Sequence, residues 1–331
     1  MAECTTERKK PFYKVIDGVP RCPYTVPERI RQALEFVPKK GDLLQVTYPK
    51  SGTHWVQYLT QLILKEGGSV DSYEEFIGAT VFIDYYEMHW EHNLAPGTLR
   101  LFMTHLPLRP DKFNPEAKYV YVARNPWDVC VSFYYHIKAF SFYHFEDASF
   151  DDFLEAFIEG NFGYGDYFEH LISAYCLRNE PNVLFLTYEE LKRDTPGTVI
   201  RLARFLGERY SKMLEEGGEA GRKRLEKILE RAKPETMRKA IEVDLTNTRR
   251  ADIDARLMEL NTIVNAAVVP DPTHFSIVRK AKVGGWKEHF NGPQLQRMEM
   301  AIVEKTQGSS VMDLWADIRE ETLRVAQEWC H

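Results

Sequence analysis

No Cys-x-x-Cys pair occurs anywhere in the sequence, and the five cysteines, Cys4, Cys22, Cys130, Cys176 and Cys330, are an odd number spread widely along the chain. That pattern suits neither a disulfide framework nor a zinc site, so reduced thiols are expected. Cys130 and Cys176 fall within apolar helical patterns, where packing rather than nucleophilic chemistry is their predicted role. Positive charge is also in short supply: 43 Lys and Arg stand against 49 Asp and Glu, a formal net charge of -6. No global basic field is there to hold nucleic acid, and any anion site must be local. The longest nearly apolar stretch, 262–269, falls far short of a membrane span, and the first ten residues hold no apolar signal core. A cytoplasmic location without a membrane partner is the expectation. Repeats, low-complexity blocks and Ser/Gly linkers are lacking as well. Residues 1–331 therefore read as a single domain, with the charged stretch 215–256 as a peripheral helical excursion.

What is present is an ordinary globular mix, 44% hydrophobic and 28% charged. Residues 43–48 form a β-type run, and 53–65 then carries Val56, Leu59, Ile63 and Leu64 at helical spacing. The unit recurs. Residues 101–104, 119–123 and 183–187 are further strand candidates, and Pro126 opens a helical pattern with Val129, Phe133 and Ile137. Unbroken apolar strands alternating with helices predict an α/β fold with a central parallel sheet covered on both faces. Ligands in such sheets bind beyond the carboxyl ends of the strands.

Those ends carry the candidate residues. The first strand runs through Tyr48-Pro49-Lys50-Ser51-Gly52-Thr53-His54-Trp55 into its helix. Unpaired amides at the helix start, the Lys50 charge, the close approach allowed by Gly52 and the Ser51 and Thr53 hydroxyls suit a phosphate or sulfate. The order of Lys and Gly is not that of a nucleotide-kinase loop. A tight turn with a Ser or Thr helix cap explains the same residues equally well. Arg124 follows another strand, with Ser132 and Asp128 four apart on one helix face. An Arg124–Asp128 surface ion pair is the alternative. His105 ends a third strand, where it is placed to take a proton near neutral pH. His89 and His92 have no further clustered ligands and predict no metal. Aromatics gather at Phe82, Tyr85, Tyr86 and Trp90 and again at Phe140, Phe142, Tyr143 and Phe145. They serve either as core or as walls for a flat acceptor. Asp84, Glu87 or Glu146 would suit an amine on that acceptor.

In order, Tyr48-Pro-Lys-Ser-Gly-Thr53, Thr104-His105-Leu-Pro107, Arg124-Asn-Pro with Asp128 and Ser132, and Phe275 followed by Arg279-Lys280, Gly284, Trp286-Lys287 and His289-Phe290 resemble the cytosolic sulfotransferases. The likeness spans nearly the whole chain. It implies one α/β domain with a P-loop-like phosphosulfate-binding loop. The implied activity is transfer of a sulfuryl group from 3′-phosphoadenosine 5′-phosphosulfate (PAPS) to the hydroxyl of a small acceptor, without a metal. By that likeness Lys50, Ser51, Gly52, Thr53, His54 and Trp55 cradle the phosphosulfate, and Trp55 stacks on adenine. Arg124, Ser132, Arg279 and Lys280 hold the 3′-phosphate, and Tyr188 and Met237 contact adenine. His105 is the implied general base, and Lys50 balances charge on the bridging oxygen. A phenol, with a pKa near ~10, is easier for such a base than an aliphatic alcohol. Phenolic or catechol-amine acceptors are therefore expected, with Phe82, Tyr85, Tyr86, Phe140 and Phe142 as pocket walls. The chain departs from the family pattern at His54, Met103, Ala232-Lys233-Pro234 and Ala281. The usual Thr-Val pairing core is missing from 287–296, so a monomer, or a homodimer formed elsewhere, is expected.

Overall fold

The computed structural model describes residues 8–85, 98–241, 243–244, 274–275 and 280–329. Among the sequence candidates, Tyr86, Glu87, His89, Trp90, His92 and Arg279 lie outside the described residues.

The described chain begins with an antiparallel hairpin, β1 (Lys14–Ile16) and β2 (Val19–Arg21). Asp17 and Gly18 turn it with φ of 53° and 78°. Positive φ at both turn residues is what a tight two-residue hairpin requires, and Asp-Gly supplies it. Helix α1 (Pro27–Glu35) follows, with Pro in its first turn.

Five parallel strands form the central sheet: β3 (Asp42–Thr47), β4 (Val81–Phe82), β5 (Arg100–Thr104), β6 (Lys118–Ala123) and β7 (Val183–Thr187), in the spatial order β4-β5-β3-β6-β7. All six residues of β3 are buried. It sits centrally, with Leu44 opposite Phe102 on one side and Tyr119 on the other. Successive side chains point to opposite faces. Leu44, Val46, Phe102, Tyr119 and Tyr121 enter one core with Trp127 and Phe133 of α4 (Pro126–Ala139). Leu43, Leu101, Val120 and Val122 enter the other with Val56, Leu59, Leu62 and Ile63 of α2 (Thr53–Leu64), which the short helix α3 (Tyr73–Gly78) follows. Each such apolar side chain, fully buried, contributes about 1.5–3 kcal/mol relative to exposure. Helices on both faces follow from that alternation, as the sequence predicts. From β3 the chain runs to β4 at the edge, returns to β5 beside β3 and then crosses to β6 on the other side of β3, so the loops after β3, β5 and β6 flank the switch point of the sheet.

The described part of the charged stretch folds into helices Gly218–Arg231 and Pro234–Ala240. Ile228, Ala232, Met237 and Ile241 anchor it in the α2-side core. Two short strands, Val243–Asp244 and His274–Phe275, pair antiparallel. Cys22 and Cys130 are buried, but Cys176 is exposed. The helix Tyr167–Tyr175 ends there, so the apolar pattern does not carry Cys176 into the core. Among the described residues no helix is long and apolar enough to cross a membrane.

Candidate active site at the carboxyl edge of the sheet

The loop from β3 to α2 is held in a left-handed form. Lys50 has φ of 70° and Gly52 of 109°. A Cβ on Gly52 would lie 2.8 Å from Tyr188 Cδ2, so both backbone and space demand glycine. Lys50 adopts its conformation without that freedom, at a cost of about 1–2 kcal/mol. Gly52 caps α2 with no side chain, leaving first-turn amides for a ligand. Ser51 Oγ is buried without a hydrogen-bond partner. Thr53 differs from expectation: its hydroxyl pairs with Thr47 Oγ1 at 2.7 Å, and its carbonyl accepts from Gln45 Nε2 at 2.7 Å. Its side chain tethers the loop to β3.

Arg124 stands just beyond β6, and Asn125 caps α4 by accepting from the Asp128 amide at 2.8 Å. The guanidinium donates to the Lys50 carbonyl at 3.1 Å and the Lys282 carbonyl at 3.0 Å. It also lies 4.4 Å from the Tyr188 ring centroid. Its Nε is buried and unpartnered. Asp128 pairs with it at 3.7 Å, with side chains only 10% and 1% exposed, so this pair is buried rather than superficial. The Asp128 carboxylate also accepts the amides of Gly284 at 2.9 Å and Trp286 at 3.0 Å. One acidic side chain thus fastens a segment more than 150 residues away to the sheet edge. Glu189 completes the frame, accepting from Asn125 Nδ2 at 2.6 Å and Trp315 Nε1 at 2.7 Å.

His105 follows β5. Its main-chain N–H donates to Asp84 at 2.8 Å, and Thr104 Oγ1 donates to the same carboxylate at 2.5 Å. Its Nδ1 lies 2.7 Å from the Thr47 carbonyl, an acceptor only, which places the ring hydrogen on Nδ1 and leaves the Nε2 lone pair open. Phe82 packs edge-on against the ring, centroids 4.9 Å apart. His136 was not a sequence candidate, yet its Nδ1 lies 3.5 Å from Lys50 Nζ. Its spacing from Ser132, four residues on along α4, was the available signal.

Burial, aided by the Lys50 ammonium, pulls His54 from 6.5 to about 3 and holds His136 well below its ordinary value. Burial lowers His105 to about 4, with the Thr47 carbonyl opposing and Lys50 assisting, and lowers the buried His170 to about 3. These four imidazoles are neutral at pH 7. An unfolded chain binds their protons as pH falls below 6.5 and the folded chain does not, so stability is fully present above 6.5 and is lost toward pH 4 and below. Asp84, raised by burial from 3.8 to about 6, and Glu189, also raised by burial, work oppositely, but as two groups against four. The melting temperature should therefore fall steadily between pH 6.5 and 4 in a thermal unfolding series. A flat profile across that window would show that the imidazoles titrate normally.

A cavity of about 370 Å³ opens at the sheet edge, lined by Lys50, Gly52, Thr53, His54, Trp55, His105, Arg124, Ser132, Phe140, Tyr188, Met237 and Lys280 among others. Trp55 donates its indole N–H to the Ala232 carbonyl at 3.1 Å and meets Tyr188 edge-on, centroids 5.5 Å apart. Lys280 pairs with the exposed Glu288 at 2.6 Å. Ala281 takes φ of 50°, a backbone that favours glycine. A second cavity of about 270 Å³ lies on the other side of His105, which lines both together with Tyr164. Tyr85 lines this second cavity. Phe82 and Phe142 line neither; Phe82 backs His105, and Phe142 packs on Phe140 with centroids 5.3 Å apart.

Residues 40–310 match the family described as the sulfotransferase domain. Sulfotransferase 1C2 of Oryctolagus cuniculus is 27% identical over 94% of this chain and 98% of that protein. The 3-alpha-hydroxysteroid sulfotransferase of Cavia porcellus is 29% identical over 85% and 90%. Among solved structures, mouse sulfotransferase SULT7A1 complexed with PAP superimposes with a TM-score of 0.60 at 20% identity, covering 96% of this chain and 99% of that one. Retinol dehydratase in complex with androsterone and PAP gives 0.61 at 23% identity, covering 88% and 87%. The family match covers most of the chain, the sheet and its helices share the fold of these neighbours, and the chain belongs to the sulfotransferase family, enzymes that move a sulfuryl group from PAPS to a hydroxyl acceptor.

Proposed function

We propose that this enzyme sulfates a small phenolic acceptor, with His105 as general base and Lys50 balancing charge on the bridging oxygen. The carrying observation is the His105 tautomer, fixed by the Thr47 carbonyl at 2.7 Å, on a wall shared by a cationic cavity and a largely apolar one. The cationic side fits an adenine nucleotide with phosphate at both ends. Gly52 leaves a cradle that a Cβ would fill, and Ser51 Oγ and Arg124 Nε are buried without partners. Lys50 and the α2 amides would hold the 5′ end, Trp55, Tyr188 and Met237 the base, and Arg124, Ser132 and Lys280 the 3′-phosphate. When bound, PAPS supplies the sulfuryl group. An anion beside Lys50 offsets the ammonium's repulsion of a protonated His105, so the imidazole gains proton affinity when it must take a proton.

A phenol gives up its proton far more readily than an alcohol, which favours it as acceptor for so weak a base. An amine-bearing acceptor has less support. Both Asp84 oxygens are engaged, and Glu146 is exposed.

Incubation with radiolabelled PAPS, or labelled ATP, and a panel of phenols and hydroxysteroids tests the reading. Labelled sulfate on a phenol is expected; no phenol product, or label passing only from ATP, would overturn it. Lys50→Ala should lower kcat by about tenfold or more while weakening product-nucleotide binding by less, because its charge is most useful in the transition state. An unchanged kcat would remove Lys50 from the chemistry.

A further inference from the structure

The cavity beyond His105 has walls mostly of apolar side chains, among them Ile30, Ala33, Leu44 and Val46 from α1 and β3. Arg21 also lines it. It is the last residue of β2, held in place by the tight Asp17–Gly18 turn, so its Cα sits on a hydrogen-bonded hairpin. Its Nε is buried with no hydrogen-bond partner, and the Asp84 and Asp17 carboxylates partly offset its charge. Three nearby acids make their hydrogen bonds elsewhere, and a fourth, Glu169, lines the cavity but is exposed to water. Asp17 accepts two bonds from Arg31 at 2.9 Å, and Asp84 accepts from Thr104 and the His105 amide. Asp166, also on the wall, pairs with Lys305.

A second donor lines the same cavity. His170 is 2% exposed and its Nε2 has no hydrogen-bond partner. Tyr121 Oη lies 2.8 Å from its Nδ1, and with that hydroxyl as donor the ring hydrogen sits on Nε2. A partly buried guanidinium and an imidazole N–H, both with unspent donors, are costly in an apolar chamber unless something accepts from them. The backbone carbonyls of His105 and Leu106 act on His170, but among the described residues no acceptor bonds the buried Arg21 Nε.

We propose that Arg21 selects acceptors that carry a carboxylate remote from the hydroxyl to be sulfated, so that the preferred acceptors are hydroxyaryl carboxylic acids. This rests on the sulfotransferase reading above. The planar guanidinium fork matches a carboxylate in two parallel hydrogen bonds, and the apolar walls take the body between carboxylate and hydroxyl. A cation would meet Arg21 as a like charge.

Three matched acceptors test this: para-hydroxyphenylpropionate, its methyl ester and tyramine. Wild-type kcat/KM should favour the acid over the ester by about tenfold or more, with tyramine last, and the difference should lie mainly in KM. Arg21→Gln should bring the acid-to-ester ratio near one, and Arg21→Lys should restore part of it. Calorimetric binding of acid and ester to enzyme saturated with product nucleotide should show the same ranking without turnover. Preference for the ester or tyramine, or a ratio unchanged in Arg21→Gln, would overturn the proposal. Failure of every labelled transfer alongside Arg21-dependent binding of the acid would instead sink the reaction assigned to the site and leave the carboxylate subsite standing.

Discussion

Replacing His105 with Ala should lower kcat by about a hundredfold or more, the usual scale of a lost general base, with little change in product-nucleotide affinity or melting temperature. The reason lies in how the residue is held. Asp84 secures the main-chain N–H and Thr104, not the imidazole, so the end of β5 keeps its position without the ring. The ring's own bond to the Thr47 carbonyl contributes only about 1 kcal/mol to folding. A packing histidine would lose stability first and rate second; a base loses rate alone. The deficit should shrink with strongly acidic phenols, which ionise unaided. In the wild type, the acidic limb of kcat/KM should lie near pH 4 rather than 6.5, since the imidazole of the free enzyme stays neutral down to about 4. A variant that keeps near-normal rates with a weakly acidic phenol would show that another group takes the proton.

The strands were legible because their residues answer to one demand, burial on both faces. Residues 119–123 and 183–187 read as unbroken apolar runs and are β6 and β7 within one residue. The turn after β3 was legible because Lys50, Ser51 and Gly52 are contiguous and their backbone requirements are local. Whatever depends on distant pairing was not. Asp128 looked like an i, i+4 surface partner, whereas its carboxylate is shared between Arg124 and two amides of the segment at 284–286. Thr53 offered a hydroxyl for an anion, but the neighbouring strand end took it through Thr47. His136 carried no pattern of its own, because only folding brings its ring beside Lys50. Arg21 was equally silent in a sequence with 43 basic residues; what distinguishes it is the partner it lacks.

Arg124→Ala should cost about a hundredfold in affinity for the 3′-phosphorylated product nucleotide and only a fewfold for the analogue without that phosphate. A charge-assisted hydrogen bond to a phosphate is worth ~1.5–3 kcal/mol, and each 1.4 kcal/mol is tenfold. The guanidinium spends two donors on the carbonyls of Lys50 and Lys282, and its buried Nε remains for a ligand. It therefore joins the two loops while keeping a donor for the proposed 3′-phosphate, and its loss leaves the buried Asp128 without its cation. Stability should fall too, by roughly 1–3 kcal/mol for that uncompensated carboxylate. Two companion variants separate the effects. Arg124→Lys keeps the charge but not the planar fork, so it should recover part of the nucleotide affinity while the carbonyl bridges stay broken. Ser132→Ala touches no bridge and should weaken only the 3′-phosphorylated nucleotide. Calorimetry with the two nucleotides reads the difference directly. Equal losses for both in Arg124→Ala, with Ser132→Ala silent, would mean that Arg124 frames the loops and that the 3′-phosphate is held elsewhere.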